Sequence, residues 1–327
     1  MSDFYYNGTA RNHFPIIMQL GVLALLLTGI FSALFMHGDN ASPQTAPITA
    51  YHVASSTAVA ATPVPPLVID DTKLKAKAIY VYDITTGQTL YSRDADEALP
   101  LASITKLMTT LLTYELVSED KTATVPLSAI MQEGSSGFVT NEALSYNHLS
   151  EMALISSSND AAYALGANVG ALLGDRDDTA QFVTGMNIRA EELGLDSMLF
   201  YNPTGLDISA TEAGAYGSAR DVSRLMAYIV TEYPELIAPT TVTATRVYNN
   251  AGAYHDIENT NEVVTEIPNL LGSKTGFTDL AGGNLTIAFD AGLHRPIVVT
   301  VLGSTYQERF SDVLQLVAAA RAAVSEE

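Results

Sequence analysis

Three short strings, Ser103-Ile104-Thr105-Lys106, Ser157-Ser158-Asn159 and Lys274-Thr275-Gly276, restrict this chain more than any other feature. They are chemically complementary and far apart, so a fold that uses them must bring three remote stretches into one pocket. Ser-x-x-Lys and Ser-x-Asn each arise about once by chance in an ordinary chain of this length. Lys-Thr-Gly is rarer. The six lysines are Lys73, Lys75, Lys77, Lys106, Lys121 and Lys274, and two of them fall inside these strings. That economy favours chemistry over accident.

On a helix, a separation of three residues sets the Ser103 hydroxyl beside the Lys106 amine. Ile104, Leu107, Met108, Leu111, Leu112 and Leu116 recur at the spacing of a buried stripe, with no Gly or Pro between Ser103 and Val117. The pattern predicts a helix that begins at Ser103, where the helix dipole favours a developing alkoxide. A serine hydroxyl becomes a good nucleophile when a neighbouring base takes its proton, and Lys106 can do this only while neutral. Bringing a lysine from about 10.4 to about 7–8 costs roughly 4 kcal/mol. Burial supplies part of this. A second cation, Lys274, supplies more if the third string folds against the first. Ser157 then relays a proton, while Asn159 hydrogen-bonds Lys106 and a substrate amide. Each string alone reads as structure: Ser103 as an N-cap, Ser157 and Asn159 opening a helix, Lys274 to Gly276 as a turn. Together they favour catalysis.

The segment 102–109, Ser157-Ser158-Asn159-Asp160-Ala161-Ala162, Asn202-Pro203-Thr204-Gly205-Leu206 and Lys274-Thr275-Gly276-Phe277-Thr278 resemble a known family. It is that of the D-alanyl-D-alanine carboxypeptidases, the low-molecular-mass penicillin-binding proteins of peptidase family S11. The likeness runs from about Lys73 to the C-terminus. It implies that Ser103 forms the acyl-enzyme, Lys106 is the general base, and Ser157 and Asn159 complete the proton path and the grip on substrate. It also implies that Lys274 and Thr275 of the Lys274-Thr275-Gly276 string hold the substrate's terminal carboxylate. An oxyanion hole is implied at the backbone N–H groups of Ser103 and Phe277. Arg309 matches an arginine that the family tends to place near the carboxylate, although a surface arginine opening the last helix reads equally well. The expected substrate is a peptidoglycan pentapeptide ending in D-Ala-D-Ala, with β-lactams as acylating inhibitors and no cofactor.

A coarse pass along the chain gives strands at 78–83 and 89–92 around a Thr86-Gly87 turn. Helical patterns dominate from 103 to 233, including 179–193 and one capped by Ser218 with Asp221 three residues on. Strand-like runs at 241–248, 284–289 and 296–302 precede a closing helix at 305–324. The expected fold class is α+β, β-lactamase/transpeptidase-like, with an antiparallel sheet flanked by helices and a helical insert. Residues 73–327 form the expected catalytic domain.

The chain has 327 residues, 47% of them hydrophobic, enough for a large core without staples. It has no cysteine, which removes thiol chemistry. Six histidines, His13, His37, His52, His148, His255 and His294, show no ligand spacing, so no metal is expected. A formal charge of −20 argues against nucleic acid or an anionic membrane surface as partner. It would also repel a carboxylate substrate, so the basic residues near the site must create a local positive patch.

Residues 15–36 are an uncharged apolar run long enough to cross a bilayer. With Arg11 before it and Asp39 after it, the expectation is a cytoplasmic tail at 1–14 and a single-pass signal-anchor helix at 15–36. That places the catalytic domain on the extracytoplasmic side of a bacterial cell membrane. A cleaved signal peptide is the alternative. Residues 37–72 read as a Pro/Ala/Thr/Ser-rich linker with a coil reach of roughly 30–35 Å. The C-terminal anchoring domain common in the family is expected to be missing. Two rivals remain. A serine β-lactamase needs a glutamate-activated water, and its nearest candidate, 192–196, reads as a helix end with Gly194 as cap. A non-catalytic penicillin-binding sensor or scaffold would acylate on β-lactams and process no peptide.

Overall fold

The computed structural model describes residues 65–174, 177–292 and 294–325. The apolar run 15–36, and the linker up to residue 64, lie outside the described residues. Among the described residues no helix is long and apolar enough to cross a membrane.

In chain order the strands are β1 (Ala78–Asp83), β2 (Gln88–Arg93), β3 (Leu99–Pro100), β4 (Thr122–Thr124), β5 (Ala143–Ser145), β6 (Leu199–Phe200), β7 (Ala215–Gly217), β8 (Ala244–Tyr248), β9 (Tyr254–Glu258), β10 (Leu270–Thr278), β11 (Gly282–Asp290) and β12 (Pro296–Ser304). The helices are α1 (Lys106–Leu116), α2 (Leu127–Ile130), α3 (Tyr146–Ile155), α4 (Asn159–Leu173), α5 (Asp178–Glu192), α6 (Ala219–Glu232), α7 (Pro234–Ile237) and α8 (Glu308–Ser325). Five strands form an antiparallel sheet in the order β10-β11-β12-β1-β2.

The two-residue period of β1 explains the layering. Ile79 and Val81 face a core shared with Val299, Val301, Leu285 and Ile287, closed by Phe310, Val313 and Leu316 of α8. Ala78 and Tyr80 face the opposite core, shared with Val298, Leu302 and the helices α1 and α3 to α6. The sheet is thus covered on both sides, and its central strands are apolar on both faces. Helices fill the middle of the chain and the sheet is built from its two ends, which is the α+β arrangement expected. The β1–β2 hairpin, α5 and the Ser218 cap of α6 lie where the sequence placed them.

Three expectations need correction. The helix does not begin at Ser103: residues Ala102–Thr105 form a 3₁₀ turn, and α1 starts at Lys106. The tighter turn is the geometry common at helix starts. The helical stretch is interrupted by short strands β4 to β7, each of two or three residues. The strand expected from 241 begins at Ala244, because Ala238–Thr241 is a 3₁₀ turn with Pro239 inside it.

Candidate active site

Position 103 opens toward solvent because its surroundings do not. From Leu101 to Thr110 every residue but Ser103 is buried. Ala102 holds a left-handed φ of +48°, and Ser157 one of +59°. Each costs a non-glycine residue about 1–2 kcal/mol, and such strain concentrates at functional sites. Two glycines let other segments press on the same backbone. A Cβ on Gly205 would lie 1.9 Å from the Ala102 carbonyl oxygen, and one on Gly276 would lie 2.7 Å from that of Leu101. Gly276 belongs to β10, an edge strand of the sheet, so the Lys-Thr-Gly strand and the Ser103 turn meet backbone to backbone. Asn284 of β11 fixes the approach, its Nδ2 donating to the Pro100 and Leu101 carbonyls at 3.0 and 3.1 Å.

The three strings converge. Lys106 Nζ lies 2.7 Å from Ser103 Oγ, 2.7 Å from Asn159 Oδ1 and 2.8 Å from the Thr204 carbonyl oxygen. A neutral amine has two N–H donors and one lone pair. With the donors committed to Asn159 and Thr204, the lone pair is left for the Ser103 hydroxyl proton. Lys106 is fully buried, and burial lowers its pKa from 10.5 to about 7. Lys274 Nζ donates to Ser157 Oγ at 3.0 Å and to the Thr275 carbonyl at 2.9 Å. Its pKa is pushed well below the ordinary value by burial first, then by repulsion from Lys106 and Arg309. The two buried amines repel one another, so each makes the other easier to deprotonate. Burial is the largest cause of the shift at both lysines.

Thr275 is buried and its hydroxyl shares a 2.6 Å hydrogen bond with that of Thr260, whose N–H donates to the Ile155 carbonyl at 3.0 Å. Thr260 thus ties the Lys-Thr-Gly strand to the end of α3, just before Ser157. Phe277 is half exposed and packs edge-on against Tyr306 at 5.1 Å. Arg309 is not a surface residue. It is 2% exposed, donates from Nη1 to the Gly276 carbonyl at 2.8 Å, and lies over the Tyr306 ring at 4.5 Å. Its guanidinium meets the strand at that backbone oxygen. A cavity of about 410 Å³ continues from Phe277 past Leu206 and Glu133, and another of about 550 Å³ runs from Ser157 and Asn159 to Asp256 and Glu258.

Among the described residues, no Asp or Glu side chain hydrogen-bonds to Ser103, Lys106, Ser157, Asn159 or Lys274. Glu192 is exposed and paired with Arg189 at 3.0 Å. No group of three His, Asp or Glu side chains suited to a metal occurs among the described residues. The contacts that sequence reasoning missed, from the Thr204 and Glu133 carbonyls and the Thr260 hydroxyl, are mostly backbone atoms, which carry no side-chain signature.

A part-accessible hydroxyl held against a buried amine is the apparatus of a serine acyl-transfer site whose base is a lysine. The chain belongs to peptidase family S11, whose sequence model, described as D-alanyl-D-alanine carboxypeptidase, matches residues 61–305. It is 31% identical over 248 residues to the D-alanyl-D-alanine carboxypeptidase DacF of Bacillus subtilis, covering 74% of this chain and 61% of that one. It is also 31% identical over 233 residues to a D-alanyl-D-alanine endopeptidase of Pseudomonas aeruginosa, covering 69% and 71%. The fold superposes on penicillin-binding protein D2 of Listeria monocytogenes in its ampicillin-bound form. There the TM-score is 0.62 and the identity 30%, over 76% of this chain and 97% of that one.

Proposed function

We propose that this chain is a serine-type D-Ala-D-Ala carboxypeptidase that removes the terminal D-alanine from peptidoglycan stem peptides. The observation that carries the reading is the 2.7 Å approach of the buried Lys106 amine to Ser103 Oγ. Neutral Lys106 takes the hydroxyl proton as Oγ attacks the carbonyl carbon of the D-Ala–D-Ala bond. The oxyanion is held by the N–H groups of Ser103 and Phe277. Collapse breaks the C–N bond, and the proton returns through Lys106 and Ser157 to the leaving amine. Water then hydrolyses the ester by the same route and restores Ser103.

Lys274 and Thr275 bind the carboxylate of the leaving D-alanine, with Arg309 supporting the strand that carries them. A bound carboxylate opposes the effect of burial on Lys274 and favours its charged form. That charge then repels a proton from Lys106, so binding prepares the base. Glu192, the nearest sequence candidate for a glutamate that activates a deacylating water, is exposed and paired with Arg189, which favours the carboxypeptidase reading over a class A β-lactamase. We assign membrane attachment to the apolar run 15–36, with the catalytic domain extracytoplasmic, on the hydropathy and charge of that segment alone. Purified protein is expected to release D-alanine from a pentapeptide ending in D-Ala-D-Ala, and Ser103→Ala to release none. A folded wild type that binds penicillin covalently yet frees no D-alanine would favour the scaffold reading.

A further inference from the structure

Asn159 can present either its oxygen or its nitrogen to Lys106, and something must choose. The choice is made by residues 133–142, an irregular segment between α2 and β5. The Glu133 carbonyl accepts a hydrogen bond from Asn159 Nδ2 at 2.7 Å, which commits the amide nitrogen and turns Oδ1 toward Lys106. The Ser136 hydroxyl shares a 2.6 Å bond with that of Ser158, and the Ser136 N–H donates to Asp160 Oδ2 at 2.9 Å. One end of the segment is thus pinned to the start of α4.

The other end is gripped from more than a hundred residues away. The Glu142 side chain is 6% exposed. Its Oε2 accepts from the Val139 N–H at 3.0 Å, and its Oε1 accepts from Asn249 Nδ2 at 2.8 Å and meets His255 Nε2 at 2.7 Å. The His255 ring also packs on Phe138, with centroids 4.8 Å apart. Asn249 and His255 belong to the β8–β9 hairpin. The chain leaving that hairpin reaches Thr260 and so Thr275 of the catalytic strand.

We propose that His255 and Glu142 are positioning residues: they hold segment 133–142 against Asn159, so that its amide keeps Oδ1 on Lys106 and the Lys106 lone pair on Ser103. This rests on the catalytic roles proposed above. Loosening the grip frees the amide to rotate and misdirects the lone pair, and a misplacement of about 1 Å at reacting groups can cost about 100-fold in rate.

The test is the second-order rate constant for acylation by a fluorescent penicillin, normalised to the fraction of molecules that label and accompanied by the thermal midpoint of each variant. His255→Leu is expected to lower the normalised constant by about tenfold or more. His255→Gln, whose amide N–H replaces the Nε2–H donor to Glu142, is expected to restore it to within about threefold. Combined with Asn159→Ala, His255→Leu should add little further loss, because both act on one amide. Should His255→Leu fail to fold, Asn249→Ala removes one bond of the same grip, together with the two that its Oδ1 accepts from the Ala251 and Ala253 N–H groups, and carries the same expectations. A normalised constant equal to wild type, a loss seen only in the labelled fraction, or full additivity with Asn159→Ala would overturn the assignment. A wild type that is never labelled would instead overturn the proposed function.

Discussion

At the scale of single residues, the account turns on what burial does to Lys106. Its pKa of about 7 places the change from ammonium to amine in the neutral range, so the acylation rate should rise with pH through about 7 and then level. Acylation that climbs steadily toward pH 10 would mean an unperturbed base. The same shift has a consequence for stability. The folded value lies below the ordinary 10.5, so the unfolded chain holds more protons between about pH 7 and 10.5, and stability rises with pH across that window. Below about 7 the cost of the buried ammonium is present in full. Lys106→Met should therefore be inactive yet more stable than wild type at pH 6, by about 1–4 kcal/mol, with the gap narrower at pH 9. Denaturant titrations at the two pH values measure it, and a gap that widens with pH would refute the sign. The residues of the three strings were legible in the sequence because their side chains do the chemistry. The Thr204 and Glu133 carbonyls were not, since any residue supplies a carbonyl and only the fold decides where it points.

Among elements, β10 carries the most unusual burden. A central run of Ser273, Lys274 and Thr275 is buried in a strand that also contains Gly272 and Gly276, which runs against ordinary strand preferences. This explains why no alternating signal was readable there, whereas the apolar runs of β11 and β12 were readable. The two- and three-residue strands β3 to β7 were illegible because no period can be read from so few residues. Gly276→Ala tests the close approach of strand and turn. Its Cβ would meet the Leu101 oxygen at 2.7 Å and the Ile104 nitrogen at 3.2 Å. The variant should keep its circular dichroism while losing about 100-fold or more in acylation rate. Unchanged acylation would show that the turn yields freely. At the far end of the sheet, Asp83 and Arg295 form a fully buried ion pair at 2.7 Å. Asp83→Ala, by removing this buried ion pair and the bonds that Asp83 Oδ1 accepts from the Thr85 and Thr86 N–H groups, should lower stability by about 3–5 kcal/mol without touching the rate constant of labelled sites. A calorimetric midpoint equal to wild type would contradict that cost.

At the scale of the molecule, the sheet is sandwiched between helices on both faces, and each of the three strings comes from a different part of the chain. That convergence was expected from the motifs, but its geometry required the fold, because nothing in a one-dimensional pattern says that β10 lies at a sheet edge. The chain's formal charge of −20 acts at longer range than the site's few cations. Association of an anionic β-lactam should accelerate as ionic strength rises from about 0.01 to 0.15 M, where the screening length falls from about 30 to 8 Å. Slower association with added salt would mean that the positive patch around Lys274 governs the approach.

The account is tested most directly by locating the acyl group. Mass spectrometry of protein treated with penicillin at pH 8 should find one adduct, on the peptide containing Ser103, and none in folded Lys106→Met over the same interval. A bond to any other residue, or equal labelling without the amine of Lys106, would contradict it.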